Sequence, residues 1–329
     1  MPDEAVPCVR VPREAGERTR RELADRDLVD GDHEITVADG AIYLPVTDPA
    51  AVPDGYEVVR REVPARETTA APADLLGYEP TYERLGDVVI VDEDDPERAR
   101  EIAEAVMESD VRAKTVLRRA SKVKGETRLR EWETLAGGDT ETVHREYGFE
   151  YLLDVREVYF SPRLATDRHL VTEGIEPGEQ VFDMFAGVGP FVIPAAARGA
   201  TAVGVDLNPA AVAYLRENAA RNGVADRVTA VEGDVREVTG YDGWADRVVM
   251  NLPHSADEFL DVAVRLAGED CLVHYYDIQS DEDPFGPGER AIRAAAGDAY
   301  EVTVETERVV RSYAPHELNV RVDARLRRA

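Results

Sequence analysis

The chain has 329 residues, of which 43% are hydrophobic, so it can form the cores of about two domains, and a collagen-like or wholly disordered protein is excluded. Its formal net charge of -28 argues against an ordinary nucleic-acid-binding protein. No apolar stretch is long enough for a membrane span or a signal peptide, and Cys8 and Cys271 lack the spacing of a disulfide framework or a zinc site, so we expect a metal-free cytoplasmic protein.

The basic residues have an unusual composition. Only three of the 39 are lysines, Lys114, Lys122 and Lys124, and the others are arginines. Together with 67 acidic residues, this composition is typical of adaptation to concentrated salt, in which a highly charged surface maintains solubility. We therefore predict a halophilic source and attribute the acidity to the solvent.

The N-terminal part of the chain predicts a small α/β domain over residues 1–62. An amphipathic segment, Arg13–Ala24, precedes two strand-like segments, Glu34–Val37 and Ala41–Pro45, among Asp-Gly and Asp-Pro turns. Residues 63–80 are rich in Pro, Ala and Thr and lack periodicity, which indicates a linker.

A second small domain, of α/β or α+β type, is predicted over residues 81–160. It begins with a β-branched strand, Val88–Val91, and continues with a helix over Glu97–Met107. Asp95 as N-cap and Pro96 as the first helical residue mark the start of this helix.

A basic cluster follows between Arg112 and Arg130, where Glu126 is the only acid. Such a run is often no more than a solvated charged face. Because the rest of the chain is acidic, we favour contact with nucleic-acid phosphates instead. These contacts are predicted for Arg118, Arg119, Lys122 and Lys124.

From Gln180 onward, strands and helices alternate regularly, which predicts a parallel sheet flanked by helices in a domain of residues 161–329. The predicted strands are Val181–Phe185, Thr201–Asp206, Val228–Gly233, Arg247–Asn251 and Leu272–Asp277. Two further segments, Tyr300–Val310 and Glu317–Leu326, have only a short connection, so the sheet should end in an antiparallel hairpin. The predicted fold class is α/β, with a Rossmann-like sheet after two smaller domains.

A glycine-rich turn, Asp183-Met-Phe-Ala-Gly187-Val-Gly189, follows the first of these strands, and glycine allows the backbone to approach a ligand closely. Asp206 and Asp234 end the next two strands, so three acids should line one crevice. Val192 stands where the dinucleotide fingerprint has its third glycine, which favours a ligand without a diphosphate. S-adenosylmethionine, with a positive centre near Asp183, fits this pattern; acids that merely cap helices are the alternative.

The fourth strand ends in Asn251-Leu-Pro253-His. An amide followed by a rigid turn at this edge is similar to the Asn-Pro-Pro motif of methyltransferases that act on nucleobase nitrogens, and a simple strand-ending turn is the alternative. Contacts with the cofactor are predicted for Asp183, Phe185, Gly187, Gly189, Asp206, Asn208, Asp234 and Asn251.

Four segments resemble the archaeal and eukaryotic tRNA (guanine-N1)-methyltransferases, which modify the purine 3′ of the anticodon. They are DVREVYFSPRLATDR, DMFAGVGPFVIPAAARGA, GVDLNPAAVAYLRENAARNGV and MNLPHSADEFL. The resemblance covers the whole chain and implies a class I S-adenosylmethionine-dependent enzyme that methylates N1 of guanosine 37 in tRNA. The N-terminal CVRVPREAGERTRRELADRDLVDGDHEI looks like the small first domain that, in this family, grips the outer corner of tRNA.

The implied reaction needs a base and a hydrogen-bond donor, since guanine N1 carries a proton and its loss shifts negative charge onto O6. The family's proposed base is a glutamate, and Asp167, one methylene shorter, stands in its place here. An ion pair between Asp167 and Arg163 is the alternative. The family's arginine donor corresponds to the region of Arg128 and Arg130, which alternation along a strand would place on one face.

The other predicted site residues contact the base or the RNA backbone. Asn251 should hydrogen-bond the edge of the base, and Pro253 should shape its turn. Arg163 and Arg168 are predicted to contact RNA. Tyr159 is predicted to stack on an extruded base or on adenine, with a core role as the alternative.

The same residues are also compatible with other functions. They are methylation of another RNA base or of a small molecule, RNA binding without catalysis, and NAD-dependent oxidoreduction. The basic cluster disfavours a small-molecule substrate, the nearly complete motif set disfavours a non-catalytic protein, and the missing third glycine disfavours NAD. We expect tRNA as the partner, no membrane, no obligate protein partner, and a monomer.

Overall fold

The computed structural model of the chain describes residues 4–24, 26, 28–53, 55–65, 70–121, 125 and 128–329. The chain forms two compact units, Met1–Ala71 and Pro72–Ala329. Within the described ranges, no helix is long and apolar enough to cross a membrane.

The first unit contains a four-stranded antiparallel sheet and one α-helix. Its elements are β1 (Glu4–Pro12), α1 (Gly16–Ala24), β2 (Thr36–Ala38), β3 (Ala41–Pro45) and β4 (Glu57–Val63), and the strand order is β2-β3-β1-β4. The predicted amphipathic helix is confirmed, with Leu23 of α1 buried against Val9 and Leu44. Strands β1 and β4 were not predicted, because two prolines in β1 and adjacent charges in β4 obscure the alternation.

The second unit begins with a smaller sheet. Its elements are α2 (Pro72–Leu76), β5 (Tyr82–Leu85), β6 (Val88–Val91), α3 (Pro96–Glu108), β7 (Thr115–Arg119) and β8 (Trp132–Ala136), with the strand order β5-β6-β7-β8. Helix α3 connects the parallel strands β6 and β7. It begins where predicted, since the Asp95 carboxylate accepts hydrogen bonds from the backbone N–H groups of Glu97 (2.8 Å) and Arg98 (3.2 Å). The short helix α2 lies inside the segment predicted as a linker.

A seven-stranded sheet follows a hairpin of β9 (Glu141–Glu146) and β10 (Phe149–Asp154). The strands of the large sheet are β11 (Gln180–Asp183), β12 (Thr201–Asp206), β13 (Val228–Glu232), β14 (Ala245–Met250), β15 (Ala267–Ser280), β16 (Tyr300–Ala314) and β17 (Glu317–Arg328). The accompanying helices are α4 (Ala165–Glu173), α5 (Val192–Ala197), α6 (Pro209–Arg221), α7 (Leu260–Leu266) and α8 (Gly286–Ala296).

The strand order of the large sheet is β13-β12-β11-β14-β15-β17-β16. Strands β11 to β15 are parallel, and β17 is antiparallel to both β15 and β16. The predicted Rossmann-like sheet with an antiparallel hairpin is therefore confirmed. The chain order reverses between β11 and β14, which places a ligand-binding crevice at the carboxyl ends of these strands.

Two asparagines join the hairpin of β9 and β10 to helix α6. The Asn218 side chain accepts from Leu152 N–H (2.7 Å) and donates to the Leu152 carbonyl (3.1 Å). Asn222 makes the same pair of bonds with Glu150, at 3.0 and 2.7 Å. Each amide thus binds the hairpin backbone as a neighbouring strand would, and the hairpin is fixed against α6.

We expect Asp95→Ala to lower the free energy of unfolding by about 1 kcal/mol, because two N–H groups of α3 lose their acceptor. Glu104→Ala, at an exposed position of the same helix, is the matched control and should change the free energy by less than about 0.5 kcal/mol. Urea denaturation at fixed salt measures both. Equal losses in the two variants would contradict the capping role.

Candidate active site

The turn after β11 has the backbone conformation that its glycines predict. Gly187 and Gly189 have φ angles of 53° and 95°, in the left-handed region that other residues rarely adopt. A Cβ at Gly189 would also lie 2.4 Å from Leu215 Cδ1. The turn therefore requires glycine at both positions, and it leads directly into α5 at the crevice.

Two of the predicted acids meet at this turn. Asp206 accepts hydrogen bonds from the backbone N–H groups of Gly187 (2.7 Å) and Asn208 (2.8 Å), so it holds the glycine turn against β12. Asp183 is fully buried, and its Oδ1 accepts from Phe185 N–H. Its Oδ2 has no hydrogen-bond partner in the described part of the chain. Such an atom fits a ligand that brings a hydrogen-bond donor or a positive charge.

The electrostatics of the two acids differ from those of surface carboxylates. Burial raises the pKa of Asp183 to about 7, with a further contribution from the negative charge of Asp206. Burial also raises the pKa of Asp206. Both shifts indicate negative groups held in an environment that lacks a compensating cation.

The other predicted cofactor residues have different surroundings. Asp234 lines a cavity of about 380 Å³ beyond β13, and its carboxylate accepts from the backbone N–H of Arg236 at 2.9 Å. Asn208 caps α6 through Ala210 N–H and donates to the Glu157 carbonyl, so its amide serves the fold. Phe185 packs edge-on against Phe259, with 5.0 Å between ring centroids.

An arginine that precedes strand β8 of the smaller sheet binds the turn after β14. Arg128 Nη1 donates to the Pro253 carbonyl at 3.1 Å, and its guanidinium lies 5.3 Å from the ring centre of Tyr159. Asn251, directly after β14, starts this turn. The structure therefore brings Arg128, Tyr159 and the turn of Asn251 and Pro253 together from three separate segments.

The expected alternation of Arg128 and Arg130 along one strand is wrong. Arg128 has a φ of 55°, which is incompatible with a strand and turns the two side chains apart. Arg130 lies over the Trp132 ring, 5.4 Å from its centre. Burial and the charge of nearby Arg119 lower the pKa of Arg130.

Asp167 is held inside the protein by three side chains that the sequence did not indicate. It is 5% exposed, pairs with the buried Arg321, and accepts a hydrogen bond from Tyr276 Oη at 2.6 Å. Arg308 Nε lies 3.2 Å from its Oδ1. The alternative pair with Arg163 is wrong, since Asp167 faces the sheet.

A series of buried charges continues behind Asp167. Arg321 Nε donates to Asp323 Oδ1 (2.8 Å), which is also bonded to His274 Nδ1 (2.7 Å). His274 Nε2 lies 2.9 Å from Arg247 Nη1, and Arg247 binds Glu179. Burial lowers the pKa of His274, and the arginine donor at Nε2 favours the neutral ring with its proton on Nδ1. The alternating polar residues of Arg321-Val-Asp323 in a buried strand were the signal that could have revealed this network.

Two of the predicted RNA-contacting arginines lie around two acids beside the smaller sheet. Arg119 binds Glu83 (2.7 Å) and Asp92 (3.2 Å), and Arg163 lies 3.3 Å from the same Glu83. Arg119 and Arg163 share the two carboxylates, and Arg130 is close enough that the charges of both arginines lower its pKa in addition to the effect of burial. We call Arg119, Arg130 and Arg163 the arginine cluster.

One further basic prediction, Arg118, can be placed, and two cannot. Arg118 binds Glu133 at 2.7 Å and donates to the Asp94 carbonyl. Lys122 and Lys124 lie outside the described residues.

The prediction that Arg168 contacts RNA is wrong for this structure. Its side chain is buried, forms two hydrogen bonds with Glu146 (2.9 and 2.7 Å) and donates to the Ser161 carbonyl. Its guanidinium also lies over the Phe160 ring, which packs on the core. Burial of the charge required these partners, so Arg168 joins α4 to the hairpin.

Three protein-family models match successive parts of the chain. Residues 142–310 match the TRM5/TYW2 methyltransferase domain. The chain belongs to the TRM5/TYW2 methyltransferase family. Residues 8–54 also match the tRNA methyltransferase 5 N-terminal domain, and residues 69–140 match the TYW2 N-terminal domain.

Similar proteins include both branches of the family. The Pyrococcus abyssi tRNA (guanine(37)-N(1))-methyltransferase Trm5b is 38% identical, covering 97% of this chain and 98% of that protein. A structure of aTrm5 in complex with tRNALeu has a TM-score of 0.71 at 32% identity and covers 97% of this chain and 99% of that chain. The Pyrococcus horikoshii tRNA(Phe) (4-demethylwyosine(37)-C(7)) aminocarboxypropyltransferase is 34% identical over 81% of this chain and 95% of its own length.

For this family member, we expect the affinity for S-adenosylmethionine to rise as the pH increases through about 7. Below that pH Asp183 is largely protonated, and above it the carboxylate attracts the positive ligand. Calorimetric titration between about pH 6 and 8 measures the change. Asp183→Asn should remove this component, whereas Asp234→Asn, whose wild-type carboxyl has a lowered pKa, should retain it. A pH dependence that persists in Asp183→Asn would exclude Asp183 as its source.

Proposed function

We propose that this chain transfers a methyl group from S-adenosylmethionine to N1 of guanosine 37 in tRNA. The main support is that similarity to Trm5b proteins spans nearly the full chain and includes the N-terminal domain at residues 8–54. A family enzyme of this kind needs an acidic cofactor crevice and a carboxylate near the substrate base. Asp183 and Asp206 end strands β11 and β12 of the large sheet, and Asp167 of helix α4 is hydrogen-bonded to Tyr276 of β15.

The crevice residues fit the cofactor. S-adenosylmethionine supplies the methyl group when bound. Asp183 would offer its unpartnered Oδ2 to a positive or hydrogen-donating group, and Asp206, at the end of β12, would accept hydrogen bonds from ribose hydroxyls. The glycine turn between them leaves room for close approach of a ligand to the backbone.

Three residues of this chain would then act on guanine. Asp167 accepts the N1 proton, so that the N1 lone pair becomes available for the methyl group. Asn251 hydrogen-bonds the edge of the base, and Arg128 keeps the turn of Asn251 and Pro253 in place through the Pro253 carbonyl. Whether Arg128 or Arg130 also donates to the base stays a prediction, and the position of Arg128 at this turn favours Arg128.

The surface that binds tRNA would include the arginine cluster, Arg118 and Tyr159. Three guanidinium groups around two carboxylates leave positive charge in a chain that is otherwise strongly acidic. Lys122 and Lys124 would add to this surface. We further propose that residues 1–62 form the domain that grips tRNA, residues 63–80 the linker, 81–160 the middle domain and 161–329 the catalytic domain.

The composition supports three coarser proposals. The excess of acidic residues and the three lysines support adaptation to concentrated salt. Two buried, unpaired cysteines and a tRNA substrate support a cytoplasmic location. We also propose that the enzyme acts as a monomer without an obligate protein partner.

Aminocarboxypropyl transfer to a modified guanosine is the second candidate, because residues 69–140 match the TYW2 N-terminal domain. Incubation with S-adenosylmethionine and unmodified tRNA, followed by nucleoside mapping and mass spectrometry, separates the two. N1-methylguanosine at position 37 is the expected product. An aminocarboxypropyl product, or no product on tRNA with guanosine 37, would reject the proposal.

We expect Asp167→Asn to slow single-turnover methyl transfer by about 10²- to 10⁴-fold, because the amide cannot accept the N1 proton. The variant also leaves Arg321 with one carboxylate fewer, which can destabilise the fold. Asp323→Asn is the matched control, since it removes the other carboxylate of the same arginine. Rapid quench at saturating substrates measures the rates of both variants.

The comparison of the two variants isolates the proton transfer. Asp167→Asn should also lose the limb of the pH–rate profile that reports ionisation of the base, and Asp323→Asn should keep it. Asp167→Glu, which restores the family residue, should retain substantial activity. If Asp167→Asn reacts within about threefold of wild type, Asp167 is not the base.

A further inference from the structure

Two arginines contact the same carboxylate oxygen of Asp167, Oδ1. Arg321 on β17 and Arg308 on β16 are paired in register, and both have a nitrogen at the Asp167 carboxylate. The Arg321 side chain is 5% exposed, whereas that of Arg308 is 42% exposed. Arg321 therefore holds Asp167 from the interior, whereas Arg308 contacts Asp167 from a partly exposed position.

The Arg308 guanidinium keeps its hydrogen-bonding capacity. Its Nε lies 3.2 Å from Asp167 Oδ1 but makes no hydrogen bond to any residue that the structure describes. In contrast, Arg128 donates to the Pro253 carbonyl and Arg130 lies on the Trp132 ring. Arg308 Nε is itself buried, so the donors that a ligand can reach are the N–H groups at Nη1 and Nη2, on a side chain that is 42% exposed.

This pair of charges matches one edge of guanine. This edge of guanine carries a hydrogen-bond donor, N1–H, directly beside an acceptor, O6. A carboxylate can accept from N1–H, and a guanidinium beside it can donate to O6. We propose that Arg308 donates a hydrogen bond to guanine O6 while Asp167 accepts the N1 proton. The proposal rests on the proposed function and adds a catalytic residue to it.

The chemistry follows from this pairing. As N1 bonds to the methyl carbon, the carbon–sulfur electron pair stays on sulfur and the N1 proton passes to a carboxylate oxygen of Asp167. Negative charge grows on O6 when N1 loses its proton, and the fixed positive charge of Arg308 stabilises it there. Since O6 has two lone pairs, a second donor from Arg128 is compatible with this geometry.

The same pairing discriminates against adenine. Adenine has an acceptor at N1 and an amino donor at its 6-position, so its N1 would face the Asp167 carboxylate and its amino group would face Arg308. Both contacts would be repulsive, and a desolvated mismatch of this kind lowers affinity strongly. Arg308 therefore contributes to base selection as well as to the rate.

The test compares Arg308→Gln with Arg327→Gln. Arg327 is a matched control, because its Nε lies 3.1 Å from a single aspartate, Asp270, near the far end of β17. At saturating tRNA and S-adenosylmethionine, Arg308→Gln should slow single-turnover methyl transfer by about 10²-fold, as for the loss of one donor to a developing oxyanion. Arg308→Lys should recover part of the rate, and Arg327→Gln should stay within about threefold of wild type.

A binding measurement without cofactor gives an independent readout. Wild type should bind tRNA with guanosine 37 more tightly than the same tRNA with adenosine 37, and Arg308→Gln should lose most of this preference. Replacement of guanosine 37 by inosine keeps N1–H and O6 but removes the 2-amino group. The fold loss in rate for Arg308→Gln should therefore be the same on inosine and guanosine.

Several results would overturn the assignment. The first is a methyl-transfer rate for Arg308→Gln within about threefold of wild type, and the second is an equal loss of rate in Arg327→Gln. The third is that Arg308→Gln keeps the wild-type rate but binds both tRNAs, with guanosine 37 and with adenosine 37, more weakly by the same factor. Failure of the wild-type enzyme to methylate guanosine 37 would instead reject the proposed function. Thermal melts of the variants confirm that each is folded, which the exposure of Arg308 and Arg327 favours.

Discussion

The site depends on one buried guanidinium. Arg321 lies between Asp167 of α4 and Asp323 of its own strand, and all three side chains are almost fully buried. A charge in such a place is tolerated only with partners on every side, so the helix and the strand must keep their relative positions. Because Asp167 is held by Arg321, the proposed base has a fixed direction before any substrate arrives.

The order of the last two strands in the sheet determines how the two arginines beside Asp167 are exposed. If β16 and not β17 paired with β15, Arg321 would lie at the edge of the sheet and Arg308 inside it. The antiparallel insertion of β17 therefore decides which arginine is buried and which is partly exposed. Tyr276 on β15 completes the set of donors around the carboxylate.

Local sequence signals determined the elements but not the partners of charged residues. The cap at Asp95, the glycine turn and the alternation of strands and helices act over a few residues, and each was predictable. Asp167 and Arg321 are separated by 154 positions, so no local pattern indicates their contact. Arg168 was misread for the same reason, since its burial depends on Glu146 of a different element. A single left-handed residue, Arg128, was enough to invalidate the expected alternation with Arg130.

The asparagine contacts of helix α6 have a consequence for behaviour in different solvents. Asn218 and Asn222 bind the hairpin backbone through neutral amides, and Asn218 also donates to the carbonyl of Val188 in the glycine turn. Dissolved ions screen interactions between full charges at the surface but have little effect on such short neutral bonds. Salt should therefore leave the connection between the hairpin and the cofactor crevice unchanged, whereas the RNA contact proposed for the arginine cluster should weaken as the ionic strength increases.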